Sequence, residues 1–317
     1  MKKRLLILLV TACMMAVLPL IAVKEIPFQS HTDTPKAPVI SSGVFRIADT
    51  KSGKIISVED KEFCIGAVAC EMPPSFEKEA LKAQCIACYT HFCRLREQNG
   101  KESDFSANLS EGEVYMNREQ LKNKWGSLYE ESFKAVETAV NEVFGKVLTD
   151  STDGTLIDAA YHAISSGQTE NAKDIFGTED RHLQAVSSAG DVNVSGYLSS
   201  KEVSADRFRE VMRKQGISLS GEADTWLNNL QKTPSGAVLS VQVGGQSLTG
   251  PQMRTLFDLR SAAFDSLFDG KKFIFTVYGY GHGVGMSQYG AQCMAKQGAS
   301  CTEILQHYYS HCNITER

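Results

Sequence analysis

The chain has 317 residues, of which 42% are apolar, and a net charge of −4, so it can bury a full core. It carries no polybasic stripe, which excludes a nucleic-acid partner and leaves a substrate free to be uncharged. No internal repeat or low-complexity tract interrupts it.

In chain order, Met1-Lys2-Lys3-Arg4 precedes an apolar run from Leu5 to Val23 broken only by Thr11 and Pro19. At about 1.5 Å of rise per residue this run just spans a bilayer's hydrocarbon core, and the basic flank keeps the N-terminus inside. The expectation is a retained anchor over residues 1–23, with the rest of the chain on the extracytoplasmic side of the cell membrane. A cleavable signal peptide is the competing reading, although no clear small-x-small site ends the run. Val10-Thr11-Ala12-Cys13 resembles a lipoprotein box, but apolar residues continue for ten positions beyond it. Residues 24–42, with Pro27, Pro35 and Pro38 among Thr, Ser and His, read as a linker. Residues 43–317 then form one domain.

Within that domain, Val44 to Val58 reads as one or two strands, Lys61 to Cys70 and Ser75 to Glu97 as helices, and Arg118 to Phe144 as a further helical stretch. Lys146 to Leu148 with Leu156 to His162 reads as a hairpin. A helix is expected around Asp206 to Lys214 and strands around Ala237 to Val243 and Lys272 to Val277. Ser287 opens a helix that Gly298 ends, and Ser300-x-x-Glu303 caps the last one. The fold class is α+β: a mixed α/β domain with a cleft.

Two segments carry chemistry. In the first, Ser57 with Asp60 resembles a capping box, and Pro73 and Pro74 stop the helix, so Glu71 falls at its C-terminus. The helix dipole and the apolar stretch Ile65 to Cys70 both disfavour a charge there, which would raise the Glu71 pKa and suit a general acid. A solvated glutamate at a helix end is the alternative reading. In the second, Tyr278 to Ala291, glycine occupies every second position from Gly279 to Gly285 around His282. Such a backbone suits close approach to a ligand. The spacing is not that of a phosphate loop.

Together the segments resemble the stage II sporulation protein D family. Ala69 to Gln84 follows that family's "A-x-E-M-P-x-x-F-x-x-E-A-L-K-A-Q" pattern, Tyr161 to Glu170 its "Y-H-x-x-S-x-G-x-T-E", and Gly281 to Ala291 its "G-H-G-V-G-M-S-Q-Y-G-A", with Arg260-Ser261 and Phe264 between them. The resemblance implies a lytic transglycosylase that cuts peptidoglycan strands during forespore engulfment in sporulation, with Glu71 catalytic. It also implies a preference for strands stripped of stem peptides, and an amidase and a multispanning membrane scaffold as partners. Residues 191–250 are least like the family and read as an inserted lobe.

His282, Tyr280, Ser287, Gln288, Ser165, Ser166 and Gly167 are the candidate glycan-binding residues. Three have a plainer role open to them: Ser165 and Ser166 as turn caps, the latter where the family usually has glycine, and Ser287 as an N-cap. Glu170 looks exposed, and pairing with a basic residue competes with a second catalytic carboxylate. No cofactor is required and no metal ligand is assigned. A zinc site from Cys85, Cys88, His91 and Cys93 is the sharper alternative, but on one helix these side chains point in several directions. Cys85 and Cys88 share a face with Leu81 and Phe92 and read as small apolar residues. Two further functions compete with the transglycosylase: a non-catalytic wall-binding enhancer of an amidase, and a cysteine nucleophile from Cys64 to Cys93 with His91 or His282. The thiols fall mid-helix or at a helix C-terminal end, which disfavours the last.

Overall fold

The computed structural model describes residues 43–99 and 102–317. The expected anchor and linker lie outside the described residues. No helix among the described residues is long and apolar enough to cross a membrane. The chain divides into two compact units: one takes the described residues up to Ala160 together with Met294–Arg317, the other Tyr161–Cys293.

In the first unit, β1 (Val44–Asp49) turns alternate residues inward, burying Phe45 and Ile47. It pairs antiparallel with β2 (Ile55–Glu59) and parallel with β3 (Phe105–Ala107). The chain runs from β2 straight into α1 (Asp60–Glu71), and α2 (Lys78–Asn99) packs against it. Phe45, Phe63, Phe92 and Phe105 meet there, with ring centroids 4.5 to 6.4 Å apart. The expected Ser57 capping box is absent: Glu59 is the N-cap and makes no side-chain cap bond. Asp60 instead accepts from Arg96 at 2.8 and 3.0 Å and from the Tyr89 hydroxyl at 3.1 Å, in a buried cluster under the helix start.

The stretch from Arg118 to Phe144 is not continuous. Gly126, at φ +55°, separates α3 (Arg118–Trp125) from α4 (Tyr129–Val143). Phe133, Val136, Val140 and Val143 form the buried stripe of α4. The expected hairpin also needs correction. β4 (Lys146–Asp150) receives only one bridge from Leu156, and its full partner is the C-terminal strand Cys312–Glu316. Pairing over that sequence distance leaves no local pattern to read.

In the second unit, β5 (Tyr161–His162) instead pairs parallel with Met286–Ser287. Strand β6 (Leu198–Ser204) leads into α5 (Ala205–Lys214), and β7 (Leu227–Lys232), β8 (Val238–Val243) and β9 (Gln246–Leu248) form an antiparallel sheet. After α6 (Gly250–Phe257), β10 (Phe264–Phe268) and β11 (Lys272–Tyr278) complete a second sheet in the order β10-β11-β6. Residues 203–243 share one core with residues 253–277, centred on Phe208 stacked on Phe273 at 4.3 Å and on Phe257 at 4.9 Å. Ser287 caps the helix Gln288–Lys296, accepting from Gly290 N at 3.1 Å; in the first unit, Ser300 makes a full capping box with Glu303.

Candidate functional site

Glu71 is the last residue of α1. Met72 is extended at φ −121°, ψ 145°, as a residue before proline should be, and its N–H donates to Val68 O at 2.9 Å. Met72 is buried, which pins the chain at the helix end. Sequence reasoning missed Lys124. From α3 it donates to Ala69 O at 2.8 Å and Cys70 O at 3.5 Å, satisfying carbonyls that the helix leaves open. Burial lowers the Lys124 pKa, and the charge of Glu71 acts in the opposite direction. The helix end beside Glu71 thus carries a cation as well as the negative pole of the dipole, and these offset each other. No spacing signal in the sequence ties Lys124 to Glu71.

Cys70 donates to Gly112 O at 2.7 Å, and burial together with the Glu71 charge pushes its thiol up to about 12. Burial also raises Cys64, and takes Cys93 to about 11. These thiols are held protonated, unsuited to nucleophilic attack. No disulfide joins the cysteines among the described residues. No group of three His, Cys, Asp or Glu among the described residues is placed to hold a metal, and His91 faces Asp158 at 3.3 Å. The first unit also has a groove of about 830 Å³ lined by Asp49, Glu59, Glu62, Tyr115, Asn117 and Gln120. It sits at the start of α1, roughly 16 Å along the axis from Glu71.

The second unit gathers the glycine-loop candidates. Tyr280 exchanges backbone bonds with Ile164 at 2.7 and 3.0 Å, and Glu170 N donates to Gly283 O at 2.7 Å. The glycines serve this internal contact. A Cβ on Gly279 (φ +74°) would lie 2.6 Å from Ile164 O, and one on Gly281 (φ +109°) 2.8 Å from the His162 Cβ. At these two glycines the close approach is made toward the chain's own Tyr161 to Glu170 segment.

His282 is half-buried, with Nδ1 accepting from Val284 N at 3.0 Å, so the neutral ring carries its proton on Nε2. His162, buried beside it with ring centroids 5.7 Å apart, donates from Nδ1 to Val284 O at 3.1 Å, and burial pushes its pKa down to about 4. Ser165 is buried, its N–H donating to Asp191 at 2.8 Å and its hydroxyl accepting from Gly167 N at 3.1 Å. Ser166 donates to Ser235 O, and Ser287 donates to Ala163 O at 3.3 Å while capping its helix. Gly167 sits at φ +105°, and Tyr280 and Gln288 are buried. Ser165, Ser166, Glu170, Tyr278 and His282 line one small recess.

Glu170 is buried rather than exposed. Its Oε1 accepts from Thr233 Oγ1 and Ala237 N, both at 3.0 Å, while Oε2 has no hydrogen-bond partner among the described residues. Burial raises its pKa and those two bonds oppose the rise.

The family model described as a stage II sporulation protein matches residues 48–149. A stage II sporulation protein D of Bacillus amyloliquefaciens is 36% identical over 287 residues, covering 89% of this chain and 81% of that one. Its namesake in Bacillus subtilis is 33% identical over 299 residues, covering 93% and 84%. An amidase enhancer of Bacillus subtilis is 26% identical over 303 residues, covering 79% of this chain and 40% of that one.

Proposed function

The chain belongs to the stage II sporulation protein D family, and on that basis we propose that it is a lytic transglycosylase cutting peptidoglycan strands, with Glu71 as its one catalytic carboxyl. The observation that carries the reading is the placement of Glu71. It ends a helix whose final carbonyls are held by Lys124, and the buried Met72 fixes the chain behind it.

Hydrolytic glycosidases generally use two carboxyl groups, whereas a lytic transglycosylase needs one group that is acid first and base second. Protonated Glu71 gives its proton to the oxygen linking N-acetylmuramic acid to N-acetylglucosamine, and the bond from that oxygen to the muramoyl C1 breaks. The carboxylate left behind is stabilised by the Lys124 ammonium. It then takes the proton of the muramoyl C6 hydroxyl as that oxygen closes on C1. The product is a 1,6-anhydro sugar, Glu71 is again protonated, and neither water nor cofactor is consumed.

In this reading the substrate strands are stripped of stem peptides, His282 hydrogen-bonds the glycan, and the N-terminal run anchors the chain outside the cytoplasm beside an amidase and a membrane scaffold. The amidase-enhancer relative favours one competing reading, a non-catalytic wall binder. Mass spectrometry of glycan products from the purified protein separates the two: anhydro-muramyl ends support catalysis, and intact strands support the enhancer.

A further inference from the structure

Two other arginines partly withdrawn from water face carboxylates: Arg96 pairs with Asp60 at 2.8 Å and Arg46 with Asp104 at 3.1 Å. Arg260 does not. Its guanidinium lies 4.4 Å over the Tyr280 ring and abuts the Gly196 backbone, where a Cβ would come within 3.3 Å of both terminal nitrogens. Its side chain makes no hydrogen bond or ion pair among the described residues, although it is half-buried. Burial lowers its pKa, with only the phenols of Tyr280 and Tyr289 acting the other way and no carboxylate contributing.

The backbone around Arg260 is fixed. Its carbonyl accepts from Gly281 N at 2.9 Å, Ser261 bridges to Gly281, and Leu259 is buried. A planar fork of five N–H donors, stacked on an aromatic ring and given no protein acceptor, is prepared for a planar anion bound through two parallel hydrogen bonds. Stacking on the Tyr280 ring offsets part of the cost of withdrawing this cation from water, and an anion at its N–H donors offsets the rest.

The inference rests on the proposed glycan substrate. That polymer bears one acidic group per disaccharide, the lactyl carboxyl of muramic acid, which is ionised when no peptide hangs from it and becomes a neutral amide when one does. We propose that Arg260 binds this free carboxylate and so selects peptide-free strands.

The test is equilibrium binding to the full chain carrying Glu71→Gln, which leaves ligands uncut. Three oligosaccharides of equal length are compared: peptide-free alternating N-acetylglucosamine and N-acetylmuramic acid, the same strand with its lactyl carboxyls converted to methylamides, and an N-acetylglucosamine oligomer. The free-acid strand should bind about 10- to 100-fold more tightly than the other two, the range of a charge-assisted hydrogen-bonded pair. Arg260→Gln should remove that difference, and Arg260→Lys should retain part of it through charge without the fork. Equal binding of all three strands overturns the role of Arg260 while leaving the protein a glycan binder. No binding of any strand overturns both this role and the glycan reading. If Arg260→Gln does not fold, Arg260→Lys decides, and an undiminished difference between free-acid and methylamide strands in either variant overturns the role of Arg260.

Discussion

Nδ1 of His282 has a defined backbone partner, so the two edges of the ring can be tested separately. Nδ1 accepts from Val284 N at 3.0 Å, and Val284 is fully buried. His282→Ala leaves that N–H without its partner, a loss of about 1–2 kcal/mol. For a chain of this size that lowers the melting temperature by roughly 2–3 °C. His282→Asn is the discriminating variant. Its Oδ1 can take the place of Nδ1 and keep the Val284 bond, so its melting temperature should fall by less than half as much. Asn cannot reproduce the Nε2 edge, which we assign to the glycan. If that hydrogen bond strengthens as charge develops on the sugar, both variants should lose roughly 10- to 1000-fold in turnover per folded molecule. Thermal unfolding and glycan cleavage measured on the same samples check this. A His282→Asn protein with normal turnover per folded molecule would refute the assignment and leave His282 a structural residue.

Lys124→Met removes the cation from the end of α1, where it holds Ala69 O and Cys70 O; it should lower stability by about 1–3 kcal/mol in denaturant unfolding and depress turnover of the remaining folded protein at least 10-fold. His162 titrates at about 4 when folded against 6.5 in its ordinary state, so the unfolded chain binds more protons and this residue's share of stability falls as pH drops from about 6.5 to about 4. Glu170 and Asp191, raised by burial, act in the opposite sense, so the check is the difference between His162→Gln and the parent: the variant's melting temperature should fall less over that window. N-terminal sequencing of protein recovered from the membrane fraction should read from Met1, and a terminus just after Val23 would mean a secreted enzyme.

What was legible in the sequence was local. Alternation places Phe273, Phe275 and Val277 on one face of β11, the Ser300 and Ser287 caps form as their spacing requires, and Pro73 leaves Glu71 at the end of its helix. What was not legible depends on partners distant along the chain. Asp60 meets Arg96 instead of a Ser57 cap, β4 pairs with residues 312–316, and Lys124 reaches α1 from another helix. Glu170 looked exposed because its neighbours are polar. Its burial comes from Thr233 and Ala237, which no local pattern links to it. The alternating glycines point to close approach without saying to what, and Gly279 and Gly281 make theirs to Ile164 and His162 from a distant segment.

The central claim, that Glu71 alone supplies and recovers the proton, is tested most directly by Glu71→Gln on purified peptide-free glycan strands, with products read by mass spectrometry. Gln has nearly the same shape and cannot give up a proton. The parent should yield 1,6-anhydromuramyl ends, and the variant none, at an unchanged melting temperature. Anhydro ends from the folded variant, or ordinary hydrated reducing ends from the parent, would contradict it.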